Sequence, residues 1–144
     1  MSIRRLTERA AADWKGRGMY LISKCFAFEA AHFLPGLPES HQCSRVHGHS
    51  YRVEALMGAE LLTAPGFVVD FRELGALKRY LDQNLDHRML NDVLDVAPTS
   101  ENLAKFLFDW CAANLPLPGT AVLEAVRVSE TTNTWAEYRP TRVG

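Results

Sequence analysis

The segment RVHGHSYRVEALMG, running from Arg45 to Gly58, places His47, His49, Tyr51, Val53, Ala55 and Met57 on every second position. Successive side chains of an extended chain point to opposite faces, so this run predicts a β-strand with one largely apolar face. The same rule puts the two imidazoles at the start of the strand on that one face. A helix, with its period of about 3.6 residues, could not gather these six residues on one side.

A second alternating run, YLISKCFAFEAAHF, predicts a strand over Tyr20–Phe33 with Ile22, Phe26, Phe28 and His32 on its even positions. The Pro/Gly-rich loop LPGLPESHQCS joins the two strands. Further on, Asp70 followed by Glu73 reads as a capping-box start, and Phe71, Leu74, Leu77, Leu81 and Leu85 mark one helical face. That helix ends at LDHRMLND. A second helix begins at Pro98 and Thr99 or Ser100, turns Leu103, Phe106, Leu107 and Trp110 inward, and stops before Pro116. AVLEAVRVSE and TWAEYRP read as two closing strands. The order β-β-α-α-β-β predicts an α+β fold, an antiparallel sheet with two helices on one face. The other face must meet solvent or another subunit. Residues 1–18 are charged and weakly patterned, and read as an N-terminal extension to a single domain spanning residues 19–144.

Composition excludes several classes of function. A net charge of −1 carries no nucleic-acid footprint. No apolar run approaches the roughly 18 residues that span a bilayer, and the N-terminus lacks a signal-peptide core. These absences point to the cytoplasm. Three cysteines without a secretion signal read as separate thiols, not as a disulfide framework. Cys25, in an apolar strand, and Cys111, beside Trp110, read as small core residues.

If the first two strands pair antiparallel, His32 at the end of one sits across from His47 and His49 at the start of the other. Three neutral imidazoles with an open fourth position suit catalytic zinc. The bland alternative is a set of polar residues at a strand end. His41, in mid-loop beside Glu39 and Ser40, reads as solvent-facing. Cys43 is either a fourth zinc ligand closing a structural site, or a nucleophile or base lying beside the metal. In the second case it needs an activating partner. Asp86 and His87 offer one, a carboxylate orienting an imidazole after a helix end. The alternative for His87 is a simple capping residue. Glu130 shares a strand face with Val126 and Val128 and needs partners there. Two adjacent N–H donors of an aminopyrimidinone ring would satisfy it, and so would a surface lysine or arginine.

FEAAHFL, CSRVHGHSY, LDHRMLND, PTSENLA and VSET, in this order, resemble the 6-pyruvoyl-tetrahydropterin synthase family. The similarity runs from about Tyr20 to Arg139 and is closest to the bacterial 6-carboxy-5,6,7,8-tetrahydropterin synthase branch of queuosine biosynthesis. Three residues separate Cys43 from His47, as in that branch. The animal pyruvoyl branch has a longer gap, and a folate-linked branch carries glutamate at the cysteine position. The resemblance implies the tunnelling fold and a homohexamer, a dimer of trimers with active sites at subunit interfaces. It implies zinc on His32, His47 and His49, and proton transfer by Cys43, Asp86 and His87. It further implies that Glu130 anchors the pterin, with Thr99, Ser100 and Glu101 lining the pocket. The implied reaction converts 7,8-dihydroneopterin triphosphate to 6-carboxytetrahydropterin with release of triphosphate and acetaldehyde. The rival expectations are a 6-pyruvoyl product from the same substrate and a non-enzymatic, zinc-stabilised assembly module.

Overall fold

A computed structural model describes residues 18–142. The extension expected over residues 1–18 therefore lies, Gly18 apart, outside the described residues. Seven regular elements follow in chain order: β1 (Tyr20–His32), β2 (His47–Ala59), α1 (Gly75–Asn84), β3 (Arg88–Met89), α2 (Ser100–Asn114), β4 (Val122–Thr131) and β5 (Thr134–Tyr138). The five strands form one sheet in the order β3-β1-β2-β4-β5.

β1 and β2 pair antiparallel along their full lengths, from Tyr20 opposite Ala59 to His32 opposite His47. This register places the even positions of β1 and the odd positions of β2 on one face. Phe26, Phe28, Tyr51, Val53, Ala55 and Met57 are buried there. They join Leu74, Leu77, Leu81 and Leu85 from the α1 region and Leu103, Ala104, Leu107 and Cys111 from α2 in one core. α2 lies across β4 and β5, and α1 packs against β1. Trp110 of α2 stacks on Tyr80 of α1 with ring centroids 4.3 Å apart, joining the helices. Among the described residues no helix is long and apolar enough to cross a membrane.

The structure differs from the sequence reading in four places. Asp70 caps not the α-helix but a 3-10 turn, Phe71–Leu74, accepting a 2.9 Å bond from the Arg72 amide. Phe71 consequently stays half exposed, outside the apolar stripe it was expected to join. LDHRMLND does more than end a helix, since Arg88 and Met89 form β3, parallel to β1 at Ala30 and Ala31. Two residues are too few to carry a periodic signal. Cys25 is exposed, not a core residue. Its odd position on β1 puts it on the open face, where its thiol lies 3.7 Å from Glu54 Oε2. Cys111 is buried as expected, and burial pushes its thiol up to about 12.

Candidate metal centre and adjoining cavity

His32 lies directly opposite His47, and His49 opposite Ala30, so strand pairing alone gathers three imidazoles. One ligating nitrogen from each falls within 4.8 Å of the other two. Their hydrogen bonds decide which nitrogen is free. His32 Nδ1 lies 2.8 Å from the Pro98 carbonyl, and His47 Nδ1 lies 2.7 Å from the Arg45 carbonyl. A carbonyl can only accept, so both rings carry their hydrogen on Nδ1 and present a bare Nε2. Those two Nε2 atoms face each other at 3.0 Å. His49 Nε2 is buried with no hydrogen-bond partner. The two bare Nε2 lone pairs repel one another unless a cation sits between them, and the His49 nitrogen lies close enough to join it. Zinc–nitrogen bonds of about 2.0–2.1 Å at the tetrahedral angle place nitrogens about 3.3 Å apart, close to this spacing. The donor set fits a divalent metal.

Burial lowers the His49 pKa, and the neighbouring His32 and His47 add to that effect against the opposing pull of Glu130. The neutral, ligating form is thereby favoured. Glu130 reaches the cluster from β4, with Oε2 3.7 Å from His49 Nε2 and Oε1 4.0 Å from His32 Nε2. The β4–β5 register shifts between Val128 and Thr131, and Glu130 lies within that irregularity. Such bulges re-aim a side chain. Glu130 also lines a cavity of about 290 Å³ with Leu34, Thr99, Ser100, Glu101, Thr134, Trp135 and Ala136.

The profile of the family described as 6-pyruvoyl tetrahydropterin synthase matches residues 21–141. The chain belongs to this family. It is 39% identical over 129 residues to a 6-carboxy-5,6,7,8-tetrahydropterin synthase of Synechocystis, a match covering 83% of this chain and 93% of the relative. It is 35% identical to the Bacillus subtilis protein of the same name, over 85% and 87% of the two chains. The solved 6-pyruvoyl tetrahydropterin synthase of Caenorhabditis elegans superposes with a TM-score of 0.74 at 23% identity, covering 86% of this chain and 97% of that one. The architecture is thus the tunnelling fold of a pterin synthase, and the chain is an enzyme of the family.

The remaining residues singled out in the sequence fall in three places. Thr99, Ser100 and Glu101 open α2 beside Glu130. Cys43 lies half-buried on a 3-10 turn, Gln42–Ser44, that leads towards β2. Its amide donates to Nδ1 of exposed His41, and its carbonyl accepts from Leu34 N. Among the described residues the converging ligand atoms are the three histidine nitrogens, without the Cys43 sulfur. Asp86 and His87 are elsewhere. His87 Nδ1 lies 2.9 Å from Asp86 Oδ2 and its ring is 78% exposed. It lines a second cavity, of about 510 Å³, whose walls include Glu29, Ala31, Gly48, Ser50 and His49 of the cluster. Glu29, Ala31, Gly48 and Ser50 alternate with the metal-facing residues and belong to the open face of the sheet. Among the described residues, no hydrogen bond or ion pair joins Asp86 or His87 to Cys43.

Sequence reasoning overlooked three participants. The Pro98 and Arg45 carbonyls set the tautomers, and backbone acceptors leave no mark in a sequence. Tyr51 was legible as an inward strand position but was given no role at the cluster.

Proposed function

We propose that this enzyme is a 6-carboxy-5,6,7,8-tetrahydropterin synthase. It takes 7,8-dihydroneopterin triphosphate and releases triphosphate and acetaldehyde, in queuosine biosynthesis in the cytoplasm. The names of the curated relatives support the reaction. The observation that carries the site is the convergence of three imidazole nitrogens, two of them bare and 3.0 Å apart.

His32, His47 and His49 would hold zinc, which when bound supplies Lewis-acid polarisation of the substrate's side-chain hydroxyls. The other roles fall to protein groups. Thr99, Ser100, Glu101 and Glu130 form a polar wall for the pterin ring, where a carboxylate can take two adjacent ring N–H groups. Glu130 anchors the ring from beside the histidines. It is close enough to them to receive a side-chain hydroxyl as well, and Glu101 then shares the ring. Cys43, outside the ligand set, would move protons at the side-chain carbons, and the Asp86–His87 pair would accept and return them. His87 lines a different cavity from Glu130 and the α2 wall, and on this reading a complete centre takes Asp86 and His87 from a neighbouring copy. This requires an oligomer with sites at subunit boundaries, and we propose a hexamer of two trimers.

Mass spectrometry of the zinc-loaded protein incubated with 7,8-dihydroneopterin triphosphate tests the reading. The expected products are 6-carboxytetrahydropterin and acetaldehyde. A 6-pyruvoyl product without acetaldehyde would replace the carboxy assignment. Absent turnover together with unfolding on chelation would point to a structural zinc module.

A further inference from the structure

Tyr51 is fully buried on β2, two residues after His49. Its ring stacks on Phe28, its partner across the β1–β2 pairing, at 4.9 Å and 6°. The same ring meets His32 edge-on at 6.0 Å and 90°, and His49 at 5.5 Å and 80°. Its hydroxyl oxygen lies 3.2 Å from His32 Nδ1. Packing alone would be served by phenylalanine, and a buried hydroxyl costs stability unless it is bonded.

We propose that Tyr51 is a positioning residue of the metal centre, its hydroxyl sharing the Nδ1–H of His32 with the Pro98 carbonyl. The proposal rests on the metal-centre reading above. The Pro98 bond of 2.8 Å is a single tether about which the imidazole can pivot. A second acceptor at 3.2 Å brackets the N–H and fixes the ring plane. Two acceptors on Nδ1–H also draw its proton outward and make Nε2 more basic towards a metal. Outer partners of this kind are worth roughly 10–100-fold in metal affinity.

Tyr51→Phe keeps the stack and removes only the oxygen. Zinc affinity is read by competition with a chromophoric chelator, and ligand-field bands are recorded on the cobalt-substituted protein. About tenfold weaker zinc binding and altered cobalt bands are expected, at the low end of that range. Unchanged affinity and spectrum overturn the proposal. Phe28→Leu loosens the stack while keeping the hydroxyl, and its zinc affinity should stay at the wild-type value. A loss equal to that of Tyr51→Phe would mean that packing is the cause, and the proposal fails. Should Tyr51→Phe not fold, nitrogen-labelled histidine in the zinc-loaded wild type gives the answer. A slowly exchanging Nδ1–H on His32 with cross-relaxation to the Tyr51 ring is expected, and a His32 proton on Nε2 overturns the idea. His47→Ala separates the two levels of argument: if it leaves zinc affinity intact, the metal-centre reading itself is wrong.

Discussion

Asp86 is held by the backbone of a neighbouring strand. Its Oδ1 accepts the Glu29 amide at 2.8 Å, and the His87 amide donates to the Glu29 carbonyl at 2.6 Å. The Glu29 amide, then the His87 side chain, holds the Asp86 carboxyl below its ordinary value. A depressed folded pKa means that the stabilisation is present above the unfolded value and is lost as pH falls through the folded one. The Glu29 amide resonance should therefore shift below about pH 3.9, the ordinary aspartate value. Its titration in a pH series by NMR checks this. Thiol chemistry gives a second residue-scale expectation. Alkylation of the native protein at pH 8 should modify Cys25 and Cys43 and spare Cys111 until denaturant is added, as peptide mapping would show. Cys111 is fully buried with its thiol near 12, whereas Cys25 is exposed and Cys43 half-exposed. The histidine set was legible because strand parity and one antiparallel pairing suffice to assemble it. The side of Glu130 followed from parity with Val126 and Val128, but its partner did not, because the pairing of β4 with β2 joins segments distant in sequence. Cys25 misled because its apolar neighbours spoke louder than its parity.

Among the elements, α2 carries the clearest signals. Thr99 Oγ1 accepts the Asn102 amide at 3.1 Å, and Leu103, Ala104, Leu107 and Cys111 are buried along one side. Pro98, Thr99 and the spacing of the leucines announce this in the sequence. Thr99→Ala should cost about 1 kcal/mol in denaturant unfolding, the usual value of such a cap. Leu107→Ala should cost about 2–5 kcal/mol, as cavity-forming substitutions do. The cap variant should also weaken metal binding, since the Pro98 carbonyl precedes Thr99 directly. A similar loss of stability from both substitutions would contradict this ordering. The short 3-10 turns and β3 were not legible. They arise from closure of the chain around the sheet edge, where pairing partners distant in sequence decide the conformation.

At the scale of the whole molecule, the fold class followed from the element order, while the association of copies is not written in any one segment. The open face carries Arg127, bonded to Glu137 at 2.7 Å and lying over Trp135 at 4.8 Å. Such a polar face suits a shared interior better than a dry contact. If centres are built between copies, Cys43→Ala and His87→Ala proteins, each inactive alone, should regain partial turnover when unfolded and refolded together. Assay of the mixture against each parent measures this, and no recovery would favour a centre completed within one chain.

Ala97 to Glu101 forms a short rigid piece with two loyalties. The Ala97 carbonyl is fastened by the Asn102 side chain and the Thr99 amide. The Pro98 carbonyl holds His32, and Thr99, Ser100 and Glu101 wall the cavity. On the proposed reading, cation and pterin would press on opposite ends of these five residues. Linkage makes such an effect reciprocal: whatever factor the ion adds to the grip on the pterin, the pterin must add to the grip on the ion. If that factor favours binding, a chelator should strip the resting enzyme faster than the working one.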